Sequence, residues 1–198
     1  MRALAALILL AAGCGAAQAG AQIYEPLADH LRSAMSASVS DKSVPLLAFK
    51  DPENARLWLN EMSSRLGRRI PDRKERTELL KTIHHEATRA GLDPQLVLGL
   101  MEVESGFRKY AISSAGARGY MQVMPFWVKL VGRPGHNLFH SRLNVRYGCV
   151  ILRHYLDLEK GDYFRALGRY NGSLGKAEYP NLVLAAWKGK WGYAGATN

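Results

Sequence analysis

A mainly α-helical fold is predicted for this 198-residue chain by three features of its sequence. Aspartates stand at repeated helix-opening positions, two of them directly before proline. Apolar residues between those openings recur three and four positions apart, the helical period. No alternation of period two extends over five or more residues, so strands have no support. Hydrophobic residues make up 47% and charged residues 22%, a globular balance that argues against disordered and fibrous classes. The length suits one packed domain with a modest additional segment.

The first nineteen residues read as an export signal. Arg2 supplies the positive start, Leu4 to Ala12 the apolar stretch, and Ala17-Gln18-Ala19 a small-x-small cleavage site. The stretch is too short to span a bilayer. Within it, "AAGC" resembles a lipoprotein box that would acylate Cys14, although the usual leucine position holds Ala11. Soluble export beginning at Gly20 is the expectation, and an outer-membrane lipoprotein anchored through Cys14 the alternative. The intact mass of the exported chain separates them. Cys149 is the other cysteine, so no internal disulfide is expected; it falls on the apolar side of a helix as a core residue.

Residues 20–71 read as a partly helical N-terminal extension. One short helix is expected near Tyr24 to Met35. Asp51-Pro52 opens another, with Ala55, Trp58, Leu59, Met62 and Leu66 on its stripe and Gly67 at its end. Residues 72–198 form the main domain. Asp72 and Glu75 make a capping box for a helix striped by Leu79, Leu80, Ile83 and Ala87, closed at Gly91. Asp93-Pro94 starts "DPQLVLGLMEVES". Further helices are expected from about Pro125 to Val131 and from about Asn144 to Glu159, with shorter ones from Asp162 and Tyr179.

The helix ending in Glu104 raises a chemical question. Leu96, Val97, Leu98, Leu100, Met101 and Val103 leave it hardly any polar face. At the helical phase, Glu104 stacks over Val97, Leu100 and Met101, whereas Glu102 lies near Gln95, Leu98 and Gly99. Burial and the partially negative helix end both favour a protonated Glu104, as a general acid near neutral pH requires. A solvated helix end is the plainer reading of the same residues. The following loop, "SSAGARGYMQVMP", is rich in small residues that let backbone approach a bulky ligand. Gln122 within it can both donate to and accept from hydroxyl and acetamido groups.

"VESGF", then "SSAGARGYMQVMP", then "RYNGS" resemble the soluble lytic transglycosylase family, lysozyme-like enzymes that cut peptidoglycan. The resemblance runs from about Asp72 to Trp191. It implies a single lysozyme-like catalytic domain, with Glu104 as the catalytic residue and Ser105 as its serine neighbour. It further implies that Ser113, Gln122, Met124, Tyr170 and Asn171 bind the sugar chain. Tyr120 stands where that family commonly has leucine, and "YNGS" replaces "YNAG". The expected reaction cleaves the β-1,4 bond between N-acetylmuramic acid and N-acetylglucosamine, leaving 1,6-anhydro ends. Neither cofactor nor metal is implied. After Glu104 no aspartate or glutamate occurs until Asp157 and Glu159, so a second carboxylate is missing from the motif blocks.

Other residues support less. His84 and His85 point to different helix faces, and His136 and His140 sit in a loop, so metal ligation is not expected. Trp58, Trp127, Trp187 and Trp191 read as core. No phosphate-binding glycine loop is present. A net charge of +10 suits an anionic partner, and peptidoglycan glycan strands with their carboxylates qualify. Nucleic acid is not expected, since no binding motif accompanies the charge. The expected location is the periplasm or cell envelope, where envelope machinery is a further candidate partner. Two alternatives stay open: a goose-type lysozyme-like hydrolase, and an inactive envelope binding or scaffolding protein.

Overall fold

The computed structural model describes residues 22–41, 43 and 45–194. The segment read as an export signal, Cys14 included, therefore lies outside the described residues. Among the described residues there are eight helices and no strand: α1 (Asp29–Ser40), α2 (Pro52–Leu66), α3 (Arg73–Arg89), α4 (Pro94–Ser105), α5 (Phe126–Val131), α6 (Ser141–Leu158), α7 (Tyr163–Asn171) and α8 (Glu178–Lys188). None is long and apolar enough to cross a membrane.

The aspartate openings act as written. Asp51, Asp72, Asp93 and Asp162 each accept a hydrogen bond from a backbone N–H in the first turn of α2, α3, α4 and α7. Such a cap is worth about 1 kcal/mol. The first helix is displaced from its expected place: it begins at Asp29, and residues 22–28 are non-helical. Pro26 disfavours helical backbone at Glu25, which opposes a helix running from Tyr24. Helix α6 begins at Ser141, earlier than Asn144, because His140 caps it through Nδ1.

Helix α4 lies at the centre of the core, with residues from Gln95 to Met101 buried. It packs antiparallel to α8. Trp187 Nε1 donates to Asp93 Oδ2 at 2.9 Å at one end, and Tyr179 reaches Glu104 at the other. Gly99 permits this closeness, since a Cβ there would stand 2.9 Å from the Trp187 backbone nitrogen. Any larger residue would wedge the pair apart and move Tyr179.

A buried ion cluster ties α3, α6 and the end of α1 together. Glu86 is fully buried and receives Arg146 at 2.7 Å, with Arg89 at 3.1 Å and Arg142 at 3.3 Å. Arg146 also donates to the carbonyls of Val39 and Asp41. The N-terminal helix is thus bonded to the same side chains that join α3 to α6. Trp58, Trp127 and Trp191 are buried, and Cys149 is a buried free thiol.

The histidines hold local structure. His84 stacks on Phe49 and meets Trp58 edge-on, and burial lowers its pKa to about 4. His85 accepts from the Leu46 N–H, and His136 bonds the Tyr147 hydroxyl. No group of three metal-ligating side chains able to hold an ion occurs among the described residues.

Candidate active site

Glu104 occupies the last turn of α4, which Gly106 terminates in the left-handed conformation at φ 57°. Because its helix is apolar on nearly every side, the carboxyl is only 4% exposed. Burial raises its pKa to about 8, and a hydrogen bond from Tyr179 acts in the opposite direction. Tyr179 OH donates to Oε1 at 2.5 Å. Oε2 is buried and has no hydrogen-bond partner among the described residues. A neutral carboxyl fits this arrangement, with one oxygen held and the other left to carry a proton.

Glu102 is treated differently. It pairs with Lys190 and with Arg69 at 3.7 Å, and accepts from Trp191 Nε1 at 2.7 Å. Helical phase sorts the two glutamates, one toward cations and one into the core. The acids next along the chain are also committed, Asp157 to Arg153 and Glu159 to Arg165 and Arg169.

Beside Glu104 the chain folds residues 111–124 into a tight double turn. Arg118 bridges to Ile112 on one side and to Val123 on the other. Side chains from four other segments fasten its backbone. Ser105 Oγ donates to the Tyr120 carbonyl at 2.7 Å, and Tyr170 OH donates to the Met121 carbonyl at 2.7 Å. Asn144 Oδ1 accepts from the Met121 N–H at 2.8 Å while its Nδ2 donates to the Arg118 and Leu138 carbonyls. Gln22 takes the Gln122 carbonyl at 3.1 Å and the Met124 N–H at 2.9 Å.

The residues singled out in the sequence converge here, in different postures. Ser113 closes a turn, its Oγ accepting from the Ala117 N–H at 3.1 Å. Gln122 is buried with φ at 47°, and its Nε2 donates to the Gly119 and Ala111 carbonyls. Met124 is partly buried against the core. Tyr170 is fully buried near Glu104, its phenol pushed well above the ordinary range by burial and by that carboxyl. Asn171 is buried at the end of α7. The carboxyl, the loop and α7 therefore adjoin one another, while Ser105 and Tyr170 reach backbone carbonyls.

Three contributors were missed in the sequence. Tyr179, Val183 and Trp187 recur four apart on α8, a stripe that marks the face turned to α4 and so places Tyr179 there. Asn144, like Tyr179, marks only a helix start in the sequence. Gln22 carries no local signature.

Comparison with known proteins converges on the same segment. The family model for the Transglycosylase SLT domain matches residues 81–181, half of the chain, and the chain belongs to that family. The matched stretch contains Glu104, the loop, Tyr170, Asn171 and Tyr179. The "Transglycosylase" of Enterobacteria phage PRD1 is 34% identical over 111 residues, covering 52% of this chain and 41% of the phage protein. "Membrane-bound lytic murein transglycosylase C" of Haemophilus influenzae (strain PittEE) is 52% identical over 91 residues, covering 39% of this chain and 26% of its own length. Among solved structures, the soluble lytic transglycosylase of Escherichia coli aligns at a TM-score of 0.44 with 20% identity, over 81% of this chain and 27% of its own. The chain thus spans less than half the length of each of these relatives.

Proposed function

We propose that this chain is a peptidoglycan lytic transglycosylase in which Glu104 acts first as general acid and then as general base. The observation that carries the reading is the Glu104 carboxyl itself: buried, with its pKa raised to about 8, held at Oε1 and unpartnered at Oε2. The protonated Oε2 delivers its proton to the bridging oxygen of the β-1,4 bond between N-acetylmuramic acid and N-acetylglucosamine. The bond breaks as positive charge develops at the anomeric carbon. The resulting carboxylate then takes the proton of the muramyl C6 hydroxyl, whose oxygen closes onto that carbon as the 1,6-anhydro ring. Glu104 ends protonated, so one carboxyl completes the cycle.

The arginine pairing of Asp157 and Glu159 and the cation pairing of Glu102 favour this single-carboxyl route over one with two acids. In this reading Ser113, Gln122, Met124 and Asn171 form the sugar-facing side of the loop and α7. Gln122 Nε2 is committed to loop carbonyls, which leaves its Oε1 to accept from the sugar. Tyr170 and Ser105 set the loop's position through its carbonyls. The names of the relatives support peptidoglycan as the substrate, and the signal-like first nineteen residues support the periplasm or cell envelope as the setting.

The pH dependence tests this reading. Turnover requires a protonated Glu104, so kcat/KM on purified peptidoglycan should fall as pH rises through about 8. Tyr179→Phe removes the one bond that lowers the Glu104 pKa, so the falling limb should move to higher pH. The lost orientation should also slow turnover by about tenfold. A limb that stays in place or moves down would place the essential acid elsewhere.

A further inference from the structure

We infer that residues 22–27, the stretch ahead of α1, form a strap that positions the sugar-facing loop, with Gln22 as its positioning residue. The inference rests on reading residues 119–124 as that loop. Gln22 is 3% exposed. Its carboxamide pairs with two backbone groups of the loop, donating to the Gln122 carbonyl at 3.1 Å and accepting from the Met124 N–H at 2.9 Å. It thereby does for this loop what a neighbouring strand's backbone would do.

The contact continues along the segment. Tyr24 meets Phe126 edge-on, with ring centroids 5.7 Å apart. Glu25 pairs with Arg169 at 3.3 Å, one residue before Tyr170. Leu27 is buried in the core. The strap therefore touches both blocks that bear site residues, 122–126 and the end of α7, and binds them to each other.

The loop needs such support. Gln122 holds a left-handed backbone at φ 47°, a conformation that is strained for a residue bearing a side chain. Ser105, Asn144 and Tyr170 fasten Tyr120 and Met121, but Gln122 O and Met124 N face Gln22. Releasing that end frees the loop where Gln122 and Met124 meet the sugar. Misplacement of bound substrate by about 1 Å can cost up to 10²-fold in rate.

The test compares the full exported chain with Gln22→Ala. It reads kcat and KM on purified peptidoglycan, amide hydrogen exchange at Met124, and thermal melting. Gln22→Ala should speed Met124 exchange at least tenfold and lower kcat by about tenfold, with the melting temperature changed by only a few degrees. Gln22→Met fills similar space but makes neither hydrogen bond, so it should match Gln22→Ala in Met124 exchange and turnover. It serves as the test if Gln22→Ala fails to fold. Unchanged Met124 exchange, or turnover within twofold of the wild type once exchange has risen, would overturn the strap. A folded wild type that releases no muropeptides would sink the proposed function alone. The strap is then judged by Met124 exchange and by the binding of N-acetylglucosamine oligomers, which Gln22→Ala should weaken about tenfold and which equal binding would contradict.

Discussion

Glu104→Gln should reduce turnover of purified peptidoglycan by about 10²–10⁴-fold while leaving the protein folded. The amide keeps the shape of the carboxyl and can still accept from Tyr179, but it has no acidic proton to give. Stability supplies an independent readout. Burial raises the folded-state pKa of Glu104 to about 8 from the ordinary 4.5. Between these values the unfolded chain ionises and the folded one does not, so wild-type stability falls as pH rises through that window. Glutamine does not ionise, so the variant should gain stability relative to the wild type from about pH 4.5 to about 8. Denaturant unfolding at several pH values measures the difference. A stability gap that ignores pH would mean that Glu104 is not held neutral.

Glu86→Ala should cost about 3–5 kcal/mol in denaturant unfolding, because it strands a buried guanidinium. Arg146 is 4% exposed, and Glu86 is its described carboxylate partner. Burial alone would raise the Glu86 pKa. Hydrogen bonds from Arg146 and the charges of Arg146 and Arg89 outweigh it and hold the carboxyl below its ordinary range. A depressed folded-state pKa contributes stability above the unfolded value and loses it as pH falls through the folded one. The wild type should therefore lose this contribution only under acid, and the variant should lack it throughout. A loss below about 1 kcal/mol would reduce the cluster to a surface-like set of ion pairs.

Much of the fold was legible because its signals are local. Asp51, Asp72, Asp93 and Asp162 cap helices within three residues of themselves, so reading along the chain suffices. The two glutamates of α4 were separable by helical phase alone, and the structure sends Glu102 to cations and Glu104 into the core. The displaced first helix also has a local cause, since Pro26 disfavours helical backbone just before it.

What escaped depends on distance along the chain. Tyr179 reaches Glu104 across 75 positions, and Gln22 reaches Gln122 across 100. No spacing rule connects such pairs until the fold brings them together. Side chains that bind backbone carbonyls, as Ser105 and Tyr170 do, are harder still. Every residue except proline presents the same N–H and every residue the same C=O, so the partner's identity carries no clue. The resemblance marked Tyr170 as a sugar-binding residue and Ser105 as the serine beside Glu104, and the geometry directs both hydroxyls to carbonyls of the loop at Tyr120 and Met121.

The most direct test of the central claim is digestion of purified peptidoglycan in heavy-oxygen water, with mass spectrometry of the new muramyl ends. If Glu104 works as both acid and base, the tethered C6 hydroxyl has a large effective concentration over water. The new ends should then be 1,6-anhydro and carry no label. Label incorporated at new reducing ends would show that water is the nucleophile, and the chain would be a lysozyme-like hydrolase.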